Sequence, residues 1–137
     1  MGIVPEQRGK SVSVRKQYHF RAGPHGLRAW DVDRLVMLTK DLPTIQVPLS
    51  AIGELDQSYW YDDGQLPTCR NIAEHARLIH EADLAFPIIL SSDGRVMDGM
   101  HRVAKAAMEG RDGVCAKQFA TDPEPDYVGI DPDKLPY

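Results

Sequence analysis

The spacing of apolar residues along the chain predicts three helices. After Asp31, a residue type that favours helix N-caps, apolar residues recur at helical spacing up to about Lys40. The same kind of spacing predicts a second helix over residues 69–83 and a third over residues 100–109. The second helix is expected to turn one stripe of small and apolar residues towards the core: Cys69, Ile72, Ala73, Ala76 and Ile79.

Short apolar runs between these helices predict the strands. Two of the runs, residues 86–90 and 95–97, are separated by a polar turn and predict a β-hairpin. The other runs lie at residues 18–21, 45–47 and 114–120. The resulting order of strand, helix, strand, helix, hairpin, helix and strand predicts a small α+β domain with a mixed sheet and packed helices.

Length and charge distribution indicate how the chain is organised. Its 137 residues suffice for a single domain. Residues 1–16 are polar and predict a flexible basic lead-in, which could contact phosphates or form a solvated end. Residues 17–121 hold the predicted elements, and residues 122–137 form an acidic, proline-rich tail.

Composition argues against several classes of protein. No apolar run approaches the roughly 18 residues that span a bilayer, so we expect no contact with membranes. The net charge of −4 argues against a dedicated nucleic-acid binder. The two cysteines, Cys69 and Cys115, are too few for a disulfide framework, and we expect both to be reduced and buried in a cytoplasmic protein.

The strongest candidate for a functional site is the segment Asp98-Gly99-Met100-His101-Arg102, where the predicted hairpin meets the third predicted helix. Gly99 permits a sharp turn, and the first amides of a helix attract anions together with its dipole. Arg102 can bind phosphate oxygens in bidentate fashion, and His101 can add a hydrogen bond. Taken singly, Asp98 could equally be an N-cap residue, Gly99 a turn residue and Arg102 a surface residue. Together they favour an anion site without identifying its ligand.

Two other groups of residues were candidates for ligand binding. His75 and His80 share the second predicted helix but lie five residues apart, a spacing that does not place two zinc ligands on one face. The aromatic run Tyr59-Trp60-Tyr61 fits either a base-stacking surface or an anchor of the loop in the core. We therefore predict no metal site built from the protein alone.

With its flanks, the turn at residues 98–102 resembles the ParB N-terminal/sulfiredoxin-like superfamily. The likeness rests on the strand Pro87-Ile88-Ile89-Leu90 before the turn and the alanine-rich helix Val103-Ala104-Lys105-Ala106-Ala107 after it. It covers roughly residues 43–120. The resemblance implies a ParB/sulfiredoxin-like α+β fold in which this turn binds phosphate.

The branches of this superfamily imply different activities. Sulfiredoxins carry a catalytic cysteine where this chain has Met100, and a thioether cannot serve as that nucleophile, so sulfinate repair is not expected. Partition proteins bind CTP at a Gly-Glu-Arg-Arg-like turn and read DNA with a helix-turn-helix region, for which the acidic residues 122–137 are a poor substitute. A free-serine kinase of the superfamily binds ADP at an Asp-Gly-His-His-Arg-like turn, which is the pattern nearest to this chain.

The kinase-like resemblance implies a role for each candidate residue. Asp98 would position the substrate or a magnesium ion, and Glu54 or Asp56 would act as general base. The nucleotide phosphates would be held by the whole turn, namely Asp98, Gly99, Met100, His101 and Arg102.

We therefore expect a protein that binds a nucleotide, namely ATP, ADP or CTP, and we expect Mg²⁺ as the metal ion that could bind together with it. The first expectation is an ATP- or ADP-dependent kinase or related phosphotransferase acting on a small hydroxyl-bearing substrate. The alternatives are a non-catalytic nucleotide-sensing module of regulatory or chromosome-partition type and, more weakly, a DNA-linked nuclease.

Overall fold

The computed structural model describes residues 16–61 and 64–137, and these form a small α+β domain, as the sequence predicts. Almost all of the predicted lead-in therefore lies outside the described residues. No helix in the described ranges is long and apolar enough to cross a membrane. In chain order the elements are β1 (Tyr18–Arg21), β2 (Arg28–Asp31), α1 (Val32–Thr39), β3 (Ile45–Pro48), α2 (Cys69–Glu81), β4 (Ile88–Leu90), β5 (Val96–Asp98), α3 (Met100–Met108), β6 (Gly113–Gln118) and β7 (Tyr127–Val128).

A four-stranded mixed sheet forms the centre of the domain, with strand order β3-β6-β4-β5. Strand β4 runs parallel to β6, whereas β3 is antiparallel to β6 and β5 is antiparallel to β4. The predicted mixed sheet and the predicted hairpin are therefore confirmed. One face of the sheet, the buried side of α3 and Ile52 from the segment between β3 and α2 share a core. Its other members are Ile88, Leu90, Val96, Met100, Val103, Ala106, Val114 and Ala116.

A second sheet, which the sequence pattern did not predict, has the order β1-β2-β7 and is antiparallel throughout. Strand β2 runs directly into α1, and its end residue Asp31 caps that helix by accepting from Asp33 N at 2.9 Å. Strand β7 belongs to the segment predicted as an acidic tail. That segment packs on the sheet, because Trp30 Nε1 donates to the Pro123 carbonyl at 2.8 Å and Leu135 is buried.

Helix α2 turns a different face to the core from the one that its sequence predicts. Its buried residues are His75 and Leu78. The predicted stripe is wrong, because Ile72 is 55% exposed and Cys69, Ala73 and Ala76 are also exposed, while Ile79 is half-buried. Burying a leucine stabilises a fold more than burying an alanine or a cysteine does, which favours the observed orientation. The expectation for the thiols is also wrong, since Cys69 is exposed and Cys115 only half-buried.

Candidate functional site

The turn between β5 and α3 is shaped by Gly99. Its φ of 108° lies in the left-handed region, which residues with a Cβ rarely adopt. A Cβ at this position would also lie 2.6 Å from Ile88 Cγ2 and 2.9 Å from Arg102 Nη2. Both the backbone angle and the packing therefore require glycine, and the turn brings β4 and the Arg102 guanidinium close together.

Asp98 and Arg102 form an ion pair inside the protein. Arg102 Nη2 donates to Asp98 Oδ2 at 3.0 Å, and the two side chains are only 2–3% exposed. Arg102 Nη1 donates to the Pro87 carbonyl at 3.2 Å and, more weakly, to the Phe86 carbonyl at 3.4 Å. The Nε–H of the same guanidinium is buried and has no acceptor among the described residues. The chain thus fixes Arg102 while leaving one of its donors without a partner.

A cavity of about 230 Å³ lies beside this ion pair. Its lining residues come from α1, from the start of β4, from the β5–α3 turn and from β6. The apolar part of the wall consists of Val36, Phe86, Pro87 and Ile89, and the polar part consists of Thr39, Lys40, Asp98, Arg102 and Lys117. Among the lining residues that the structure describes, three are cations and one is an anion. Because Arg102 already neutralises Asp98, two lysines give the cavity a net positive charge.

Lys117 is held at the cavity by the end of helix α1. Its Nζ donates to the carbonyl oxygen of Lys40, the C-cap residue of that helix, at 2.8 Å. The carbonyls at a helix C-terminus carry partial negative charge, which stabilises an ammonium group there. An ammonium group has three N–H donors, so this bond leaves others for a ligand. Lys40 itself is exposed.

His101 lies in a buried aromatic stack and not at the cavity. Its Nε2 is 2.8 Å from His75 Nδ1, and the Trp60 ring stacks on both imidazoles at centroid distances of 4.5 Å and 4.3 Å. Trp60 is half-buried and packs against the core, as expected for an anchor of its loop. Met100 is 3% exposed within that core. Neither Met100 nor His101 is among the described residues that line the cavity.

The two acidic residues expected as candidate bases also lie away from the cavity. Glu54 is 5% exposed, and its Oε2 accepts from the Val96 backbone N at 2.6 Å. Asp56 is exposed at the end of the same 3₁₀ turn, Gly53–Asp56. The structure therefore brings Asp98 and Arg102 together at the cavity but does not bring Glu54 or Asp56 to it.

Lys40 and Lys117 are the site residues that sequence reasoning missed. In the sequence, Lys40 marks the predicted end of a helix, and Lys117 is a cation within a largely apolar strand, which is a weak signal of a site. Lys117 lies beside the β4 part of the cavity wall because β4 pairs in parallel with β6, where Ile89 is opposite Lys117. That pairing joins segments distant in sequence, so local patterns do not reveal it.

Neither metal ligands nor relatives identify the site further. Within residues 16–61 and 64–137, no group of three His, Cys, Asp or Glu side chains is placed to hold a metal ion. Comparisons with protein-family models, with curated proteins and with solved structures found no match.

Proposed function

We propose that this chain is a ParB/sulfiredoxin-like domain and that it binds a nucleotide by its phosphate end in the cavity lined by Lys40, Arg102 and Lys117. The observation that carries the proposal is the net positive charge of a small cavity: among the described lining residues, Arg102 is paired with Asp98, while Lys40 and Lys117 face no lining carboxylate of their own. Arg102 offers its buried Nε–H, which a phosphate oxygen would satisfy. The lysines offer further charged donors.

The size of the cavity suits the phosphates of a nucleotide and not its sugar and base. Pockets that enclose a whole drug-sized ligand usually measure about 300–1,000 Å³. At about 230 Å³ this cavity holds a phosphate group, with the sugar and base of ATP, ADP or CTP lying outside it. The apolar wall, which includes Val36 and Phe86, would contact the less polar part of the ligand.

Phosphotransferase activity is a second candidate, favoured by the position of Asp98 at the cavity wall. In phosphoryl transfer, cations hold the charge of the transferred group, while a carboxylate orients the acceptor and takes its proton. Lys40, Arg102 and Lys117 would serve the first purpose and Asp98 the second. Mg²⁺, when bound with a nucleotide, would neutralise phosphate charge. Asp98 is the one acidic side chain among the described lining residues that could contact it.

A thermal-shift series tests the proposal. Ligands that bind only the folded state raise the melting temperature in proportion to the logarithm of their concentration. We expect ATP, ADP or CTP, with or without Mg²⁺, to raise it, whereas adenosine and cytidine, which lack phosphate, leave it unchanged. Equal shifts with nucleosides, or no shift with any nucleotide, would contradict phosphate recognition. Release of ADP in the presence of a small alcohol would favour the phosphotransferase candidate.

A further inference from the structure

A second cluster of positive charge surrounds the buried ring of His19, on the sheet β1-β2-β7. Arg21 ends β1, Arg28 begins β2, and Arg95 lies just before β5. Burial, followed by the charges of Arg21, Arg95 and Arg28, lowers the pKa of His19 to about 3. The imidazole is therefore neutral near pH 7. The fold brings the arginines together, because Arg21 is opposite Arg28 in the β1–β2 pairing, and Ser91 Oγ accepts from both Arg21 Nη2 and the Arg95 backbone N.

Arg21 is fixed at the centre of this arginine cluster. Its Nε donates to His19 Nε2 at 2.9 Å, and its Nη2 donates to Ser91 Oγ at 2.9 Å. Its side chain is 11% exposed, and Nη1 lies 3.7 Å from Asp93 Oδ1. Burial, followed by the charge of Arg95, lowers the pKa of Arg21, as expected for a guanidinium withdrawn from water beside a like charge.

Arg28 brings a donor without a partner to the same region. Its Nη2 donates to the Ala22 carbonyl at 3.0 Å, and its guanidinium lies over the Trp30 ring, 5.3 Å from the ring centroid. Its Nε–H is buried and has no acceptor among the described residues. A Cβ on Gly23 would lie 2.8 Å from that Nε, so glycine at this position leaves the space that Arg28 occupies.

The neighbouring carboxylates are engaged in local hydrogen bonds. Asp93 accepts from Ser91 Oγ, and this bond lowers the pKa of Asp93. Asp122 accepts from the Ser92 backbone N at 2.7 Å. With three guanidinium groups against these two carboxylates, the cluster retains positive charge. Arg95 is exposed, so part of this charge faces solvent.

We propose that Arg21, Arg28 and Arg95 form a binding site for a small oxyanion, a phosphate or a carboxylate, distinct from the cavity between α1 and α3. Guanidinium groups match the geometry of both anions. Arg21 supplies fixed charge, Arg28 supplies a buried Nε–H without an acceptor among the described residues, and Arg95 adds an exposed positive charge. An oxyanion there offsets the repulsion among the three cations and satisfies the buried donor.

The arginine Nε–H signals in the ¹H–¹⁵N spectrum of the full chain test this site. Titration with inorganic phosphate or with acetate, at ionic strength held constant with sodium chloride, should move the Arg28 Nε–H signal to saturation. A response to phosphate alone assigns a phosphate, and an equal response to acetate assigns the site to carboxylates as well. Absence of saturation with both anions would overturn the proposal.

Three variants test whether oxyanion binding belongs to the arginine cluster, to exposed arginines in general or to the cavity. Arg95→Ala should weaken oxyanion binding about tenfold or more, the loss expected for one charge-assisted hydrogen bond. Arg70→Ala removes an exposed arginine of α2 and should leave the affinity unchanged, as should Lys117→Met, which alters the cavity. Unchanged affinity in Arg95→Ala, or its loss in Lys117→Met, would contradict a separate site.

Discussion

Arg102 and Asp98 are four residues apart across the β5–α3 turn and are paired at 3.0 Å where both side chains are almost completely buried. The pair serves the fold as well as the cavity. Replacing Arg102 by alanine would leave the Asp98 carboxylate buried without this partner. We expect Arg102→Ala to lower the free energy of unfolding by roughly 3–5 kcal/mol.

Urea unfolding measures this loss. The matched control is Arg70→Ala, which removes an exposed arginine and should change stability by less than about 0.5 kcal/mol. Similar stabilities for the two variants would show that the buried pair does not hold the turn. Because Arg102→Ala is expected to destabilise the fold, Lys117 is the better residue for testing ligand binding.

Alanine substitutions at Gly99, in the β5–α3 turn, and at Gly110, after the end of α3, form a matched pair that tests the packing of this turn. Both glycines have positive φ, 108° and 72°, but a Cβ would meet Ile88 at Gly99 and nothing within 4 Å at Gly110. Alanine at residue 110 pays only the backbone strain, about 1 kcal/mol. Alanine at residue 99 also forces a clash in the core and should cost about 1–3 kcal/mol more. Equal losses in chemical denaturation would argue against the close packing at this turn.

The orientation of α2 can be checked with two substitutions. Leu78 is 1% exposed and Ile72 is 55% exposed. Leu78→Ala should therefore reduce the free energy of unfolding by about 2–5 kcal/mol, whereas Ile72→Ala should change it little. The reverse ranking in equilibrium unfolding would support the stripe predicted from the sequence and contradict the observed orientation.

Local sequence signals are enough to predict those elements whose formation depends on nearby residues. The Asp31 cap, the hairpin of β4 and β5, and the turn at Gly99 depend on residue types within a few positions of one another, and all three form. Strand β7 forms only because β2 is there to pair with it, since Ala29 is opposite Tyr127. No local pattern marks such a two-residue strand.

The candidate site was predictable only in part for the same reason. Asp98 and Arg102 were found because both lie in one short motif. The motif does not show that Trp60, from a distant loop, stacks on His101, which lies in that stack and not at the cavity. Nor does it show that Lys117 reaches the same cavity from β6. Long-range packing decides which members of a motif face a ligand.

Acid should destabilise the fold through His19. Its pKa is lowered from 6.5 to about 3, mainly by burial. Above pH 6.5 the ring is neutral in both the folded and the unfolded chain. Between that pH and about 3 the unfolded chain binds a proton that the folded chain does not, so stability falls by up to about 5 kcal/mol.

Unfolding free energies measured across this pH range check the assignment. His19→Gln keeps a side-chain acceptor for Arg21 and should flatten the decline between pH 6.5 and about 3. His25→Gln alters an exposed histidine and should retain the decline of the unmodified protein. A decline that persists unchanged in His19→Gln would assign the acid sensitivity to other groups.

The most direct test of phosphate recognition is calorimetric titration of the Lys117→Met protein with ATP, ADP and CTP. Methionine keeps the aliphatic bulk of the side chain but removes the charge that Lys117 brings to the cavity. We predict that the dissociation constant for the bound nucleotide rises at least about tenfold, the loss of one charge-assisted contact. Lys134→Met, which alters an exposed lysine outside the cavity, should bind like the unmodified protein. Equal affinities for Lys117→Met and the unmodified protein would contradict the proposal that this cavity holds the phosphates.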